Sequence, residues 1–134
     1  MAPERADAQD GGYPVKYEVS QRFFFDAAHT LERDIERESS ARVHGHTYQA
    51  EVAVAGEPDA SGMVVDLGHL RRTLAELRVA LDHQLLDDVP RLGKPTLENL
   101  CRFIAERGRA AGFPVSRVSV WRDGIGDRCD LRLA

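Results

Sequence analysis

Cysteine is nearly missing from this chain, with two in 134 residues, at positions 101 and 129. At most one disulfide could form, and nothing in the pattern demands it. Long hydrophobic runs are also lacking. No window approaches the roughly eighteen consecutive apolar residues of a membrane-spanning helix. The opening MAPERADAQDGGYP has no apolar segment of the kind a secretory signal carries. Nor is there an excess of positive charge: 18 basic against 22 acidic residues leave a net charge of −4. The chain as a whole therefore has no attraction to nucleic acid or to an anionic lipid surface. These absences together lead us to expect a cytoplasmic protein that uses neither nucleic acid nor membrane as a partner.

What is present is one domain's worth of chain with ordinary apolar and charged fractions. Residues 1–13, rich in Ala, Asp, Pro and Gly, read as a disordered tail, and residues 14–134 as a single domain. VKYEVSQRFFFDA (15–27) has the aromatic and β-branched content of a first strand, which His29 closes. The charged stretch 29–42 has no clean period and reads as a long loop. Residues 43–55 alternate Val43, Tyr48, Ala50, Val52 and Val54 against Thr47, Gln49 and Glu51, a second strand. Residues 56–62 are turn chemistry, with Met63–Val65 closing onto the sheet. Asp66 has the look of an N-cap, followed by Leu67, Leu70, Leu74, Leu77 and Leu81 on one helical stripe. After a loop over 87–95, Thr96 caps a second helix that Gly112 and Pro114 stop. Cys101 falls on its apolar spacing and reads as a buried thiol. Strands over 115–123 and 128–134 follow. The order ββααββ predicts an α+β domain with an antiparallel sheet and both helices on one face.

The chemistry concentrates in five histidines. In VHGHTYQAEVAV (43–54), His44 and His46 lie two apart in a strand and so share a face, with Gly45 leaving the other face bare. If the first two strands pair, His29 approaches the same point. Three neutral imidazoles converging from adjacent strands would hold zinc with one position open for water or substrate, the arrangement of catalytic rather than structural zinc. Taken alone, a His-x-His is equally well two surface histidines, or an adventitious nickel or copper site. A second feature adds weight. LDHQLLDD places Asp82 beside His83 at the end of the leucine-striped helix, where a carboxylate can fix the tautomer of an imidazole and raise its basicity as a proton relay. His69 lies off the leucine stripe and reads as an exposed helix residue.

FDAAHTL, VHGHTYQAEVAV, GMVVDLGHLR, LDHQLLDD and PTLENLCRFI occur in an order and spacing that resemble the 6-pyruvoyl-tetrahydropterin synthase family, over about residues 15–134. The closest subgroup looks like the bacterial 6-carboxytetrahydropterin synthases. The resemblance implies the tunnelling fold (T-fold), in which three subunits pool their sheets into a barrel, two rings can stack, and active sites lie between subunits. A homo-oligomer is thus expected, a trimer or a hexamer. It further implies Zn2+ on His29, His44 and His46, proton transfer by Asp82 and His83, and a substrate like dihydroneopterin triphosphate, its side chain remodelled by metal-assisted proton transfer.

The chain departs from that family in two places. Members usually carry a cysteine shortly before the His-Gly-His. Here ERESSARVHGH has none; Ser40 stands at the bacterial position and Glu38 slightly earlier. A thiol ionises near pH 8.5 and an alcohol far higher, at about the limit of what water allows, so Ser40 needs activation, whereas Glu38 could act as a base directly. As residues alone, Glu36–Glu38 are equally a solvated charge run. Members also end the third strand with Val-x-Val-x-Glu, whose glutamate accepts from the pterin's N–H edge. This chain reads Val118-Ser119-Val120-Trp121-Arg122, then Asp123. Arginine only donates, and suits a carboxylate or phosphate. Asp123 takes the glutamate's role only if the strand bulges by one residue. Thr96 and Glu98 match positions that line the pocket in relatives, and by themselves are an N-cap and a first-turn carboxylate.

The expected function is accordingly a zinc-dependent carbon–oxygen or carbon–carbon lyase resembling 6-carboxytetrahydropterin synthase, with Glu38 or Ser40 replacing the thiol and Thr96, Glu98, Arg122 and Asp123 touching substrate. The runner-up keeps the fold and zinc but acts on a non-pterin small molecule whose carboxylate or phosphate Arg122 reads. A third reading is an oligomeric shell whose site has decayed.

Overall fold

The computed structural model describes residues 16–30 and 42–133. Strand β1 (Tyr17–His29) pairs antiparallel with β2 (His44–Gly56) along its whole length, from Tyr17 opposite Gly56 to His29 opposite His44. Helices α1 (Leu67–Val79) and α2 (Leu97–Ala110) follow, then β3 (Val115–Arg122) and β4 (Asp127–Arg132). The sheet runs β1-β2-β3-β4, antiparallel throughout. The expected order and α+β class are what the chain adopts.

Strand alternation sorts the sheet into two faces. One carries Phe25, Ala27, Tyr48, Ala50, Val52, Val54, Val118 and Val120, all buried, and both helices lie on it. Phe25 stacks on Tyr48 with ring centroids 5.0 Å apart. From α1 come Leu70, Leu74 and Leu77, with Leu81 just beyond it; α2 supplies Leu100, Cys101, Phe103, Ile104 and Ala105. The opposite face is mostly polar, with Ala53 and Ser119 buried in it. Glu51 there accepts from Ser20 Oγ at 2.7 Å and from Arg117 Nη1 at 3.3 Å.

The caps form as the sequence predicts. Asp66 Oδ1 accepts from Gly68 N at 2.8 Å, and Thr96 Oγ1 from Asn99 N at 3.1 Å. Past α2 the backbone reverses at Gly112, whose φ of +96° is costly for any side chain. Both cysteines are free thiols.

Several expectations change in detail. Val43 precedes β2 and is exposed, because its parity sets it opposite to Tyr48 rather than with it. Residues 63–65 form no strand, although Val64 and Val65 pack against the core. The loop expected over 87–95 begins inside a 3₁₀ turn, Leu86–Asp88. Asp82 and His83 do not end α1, which stops at Val79; they sit in the turn that follows. The tail 1–13, Glu38 and Ser40 lie outside the described residues.

Candidate active site

The full-length β1–β2 register is what assembles the histidines. His44 lies directly across from His29, and His46 lies across from Ala27 on the same face. His29 Nε2 is 3.0 Å from His44 Nε2 and 3.2 Å from His46 Nε2. Gly45 is not what permits this, since a Cβ there would meet the Ala27 carbonyl oxygen at an ordinary 3.6 Å. Alternation alone aims the two rings.

The protons of this cluster can be assigned from its partners. His29 Nδ1 is 3.2 Å from the Pro95 carbonyl oxygen, and His44 Nδ1 is 2.7 Å from that of Arg42. A carbonyl only accepts, so each Nδ1 carries the hydrogen and each Nε2 presents a lone pair. Two lone pairs face each other across 3.0 Å, an arrangement that repels unless a cation lies between them. One nitrogen from each of the three rings lies within 4.8 Å of the other two. The edge of a zinc tetrahedron with nitrogen ligands is about 3.3 Å, so the donor set fits such an ion with little movement. The Nδ1–H···O=C contacts are the support that orients ligating imidazoles.

The electrostatics favour neutral rings at His29 and His46, the form a metal needs. Burial lowers the His46 pKa to about 4, helped by the charge of Arg122 and by the other two histidines. Burial also lowers that of His29, against the raising effect of the Pro95 hydrogen bond. With the folded value below the unfolded 6.5, only the unfolded chain takes up the His46 proton between those limits. The stability this supplies is therefore complete above about pH 6.5 and lost as pH falls towards about 4. Imidazole C–H titration by NMR on the metal-free chain is expected to place His46 near 4, and a midpoint near 6.5 would contradict the burial described here.

A second cluster borders the same region. Asp82 Oδ1 accepts from Asp26 N at 2.9 Å, and its Oδ2 from His83 Nδ1 at 2.8 Å, with Arg78 Nη2 3.4 Å from that oxygen. The Asp26 amide holds the Asp82 carboxyl below the usual range, and His83 and Arg78 add to this against the opposing effect of burial. His83 has a left-handed φ of 60°, secured by its amide donating to the Asp26 carbonyl at 2.6 Å. With Nδ1 turned to Asp82, Nε2 is the nitrogen left over on a side chain that is 78% exposed. An open cleft of about 580 Å³ is lined by His83, Gln84, Asp26, Gly45, His46 and Thr47, so both clusters border it.

Of the remaining candidates, Arg122 lies on the helix-covered face, its guanidinium 5.9 Å from the centre of the Tyr48 ring and paired with Asp127. Asp123 is exposed in the turn after β3. No bulge re-aims it, since regular β3–β4 pairing runs to Arg122 opposite Asp127. Thr96 is spent on its cap, yet the adjacent Pro95 carbonyl touches His29; Glu98 is exposed in the first turn of α2. Tyr48, Asp26 and Asp127 escaped the sequence reading. Tyr48 alone had a signal, two residues after His46 on its face. Its hydroxyl is 3.4 Å from His29 Nδ1, and burial pushes its pKa up to about 12.

Residues 18–132 match the family model described as 6-pyruvoyl tetrahydropterin synthase. The chain is 33% identical over 110 residues to the dihydroneopterin monophosphate aldolase of Pyrococcus furiosus, covering 80% of this chain and 90% of that one. It is 32% identical over 102 residues to the 6-carboxy-5,6,7,8-tetrahydropterin synthase of Synechocystis sp., covering 72% and 78%. The structure of Caenorhabditis elegans 6-pyruvoyl tetrahydropterin synthase superposes with a TM-score of 0.76 at 23% identity, covering 90% of this chain and 97% of the other. That last likeness is one of fold.

Proposed function

This chain belongs to the 6-pyruvoyl tetrahydropterin synthase family, and on that premise we propose that it is a zinc-dependent lyase that remodels the side chain of a dihydroneopterin phosphate by metal-assisted proton transfer. The observation that carries the proposal is the pair of imidazole lone pairs held face to face, with their other nitrogens committed to carbonyls. His29, His44 and His46 are its ligands. Zinc bound there supplies a Lewis acid that polarises hydroxyl and carbonyl oxygens and acidifies the adjacent C–H bonds.

The chain's own residues do the rest. His83 Nε2 takes or returns a proton at the substrate's side-chain carbon, and Asp82 stabilises the imidazolium that results without giving up its own charge. Tyr48, buried beneath His29 and His46, keeps water from that side of the rings. A second acid–base group is assigned to Glu38 or Ser40, the residues standing where relatives carry a thiol. The β1 and β4 edges of the sheet are where further copies would add strands, and we extend the proposal to a trimer or a hexamer built from two trimers.

Incubating the zinc-loaded chain with dihydroneopterin triphosphate and, separately, with dihydroneopterin monophosphate tests the reading. A pterin with a shortened or rearranged side chain is expected from one of them, and none from the chain stripped of metal. Failure of the loaded chain to convert either would overturn it.

A further inference from the structure

Arg122 and Asp127 are direct cross-strand partners where the turn joins β3 to β4. Because Gln49 lies opposite Trp121, the next step of the register sets Tyr48 opposite Arg122. Arg122 therefore stands in the row of side chains adjoining the histidines, one residue away from His29 through Tyr48.

A guanidinium set here asks for an anion. Asp127 supplies one negative charge and takes only part of the guanidinium. Its Oδ2 accepts from Nη2, while Nε is buried without a partner among the described residues. A buried donor left unpaired carries a real cost. A divalent ion on the histidines would add two further positive charges nearby. The two partners also differ in freedom. The Arg122 side chain is 14% exposed and held against Tyr48, whereas that of Asp127 is 41% exposed and follows the Asp123–Gly126 turn. If one partner is to yield its place, it is the carboxylate, which water can solvate where it goes.

We propose that Arg122 anchors an oxyanion of the substrate, a phosphate monoester or a carboxylate, and that Asp127 is its resident counter-ion, displaced when that oxyanion arrives. The planar fork of the guanidinium suits two oxygens of such a group, and a phosphate ester would keep a third oxygen free for a further contact. The assignment rests on the reading above only in placing the substrate beside the three histidines. It turns the departure at this strand end from a lost acceptor into a gained donor, and it selects anionic substrates.

The test uses the full chain, with methyl phosphate and acetate as probes, affinities measured by calorimetry, and zinc content determined on every sample. Wild type is expected to bind at least one probe. Arg122→Gln should weaken that binding at least tenfold, and Arg122→Lys, which keeps the charge but loses the fork, by less. Asp127→Asn should tighten it several-fold, because the competing carboxylate is gone. The opposite signs of the two changes are the signature. The tighter probe says whether the group is a phosphate ester or a carboxylate. Binding by neither probe, an unchanged affinity in Arg122→Gln, or weakening in Asp127→Asn would each overturn the proposal; the last would make Asp127 itself the contact. Should Arg122→Gln fail to fold, the sign of the Asp127→Asn change decides alone. A wild-type sample that holds no zinc but still shows this Arg122 dependence would sink the metal reading and leave the anion site standing.

Discussion

In a His44→Ala chain, stoichiometric zinc and turnover are both expected to disappear while the sheet stays folded. His44 is the cleanest of the three ligands to remove. It begins β2, is only half-buried, and its one outside partner among the described residues is the Arg42 carbonyl, which solvent can satisfy. His29→Ala would be less clear, because that ring is 3% exposed and its removal leaves a cavity and an unpaired Pro95 carbonyl. Two imidazoles cannot hold the ion as three do. Losing even a hydrogen-bonded supporter of a ligand costs roughly 10–100-fold in affinity or activity, and losing a ligand costs more. Metal analysis after exhaustive dialysis, with circular dichroism on the same sample, checks the result. One equivalent of zinc retained in His44→Ala would remove the basis of the proposed chemistry.

His83→Ala is expected to cost about 10²–10⁴ in kcat, the usual worth of a placed proton-transfer group, with zinc content and thermal stability little changed. The side chain is largely exposed, so it contributes little packing. Its backbone bond to the Asp26 carbonyl survives the substitution, although alanine gains nothing from the left-handed φ of 60°. Asp82→Asn should behave differently. That carboxylate also accepts from the Asp26 amide and faces Arg78, tying the turn to β1, so both rate and stability should fall. A kcat for His83→Ala within a few-fold of wild type, in protein holding its metal, would show that the relay does not take part. A rate loss accompanied by lost zinc would instead mean that the turn shapes the metal site.

The sequence decides most where geometry is local. Period two put His44 and His46 on one side of a strand, period three to four gathered the leucines of α1, and Asp66 and Thr96 capped because short polar side chains reach backbone amides two and three residues on. It decides least at joints. The leucine stripe predicts Asp82 and His83 at a helix end, yet α1 stops at Val79, and the turn that follows is tied to β1 as well as to the helix. Val43 has the residue type of the inner row but the opposite parity, and it is exposed. At the end of β3 alternation did settle the matter: Arg122 faces inward and Asp123 falls in the turn.

The sequence by itself determined which residues can share a face, because alternation and helical period are properties of the backbone within one element. It thereby determined that two imidazoles project together and that a carboxylate neighbours a third. Only the tertiary structure decided that His29 lies opposite His44, that the Pro95 carbonyl, 66 residues along the chain, fixes its tautomer, and that Arg122 meets Tyr48 and Asp127 beside them. Register and distant partners are set by the summed packing of a whole sheet against two helices. No short stretch of chain contains that sum.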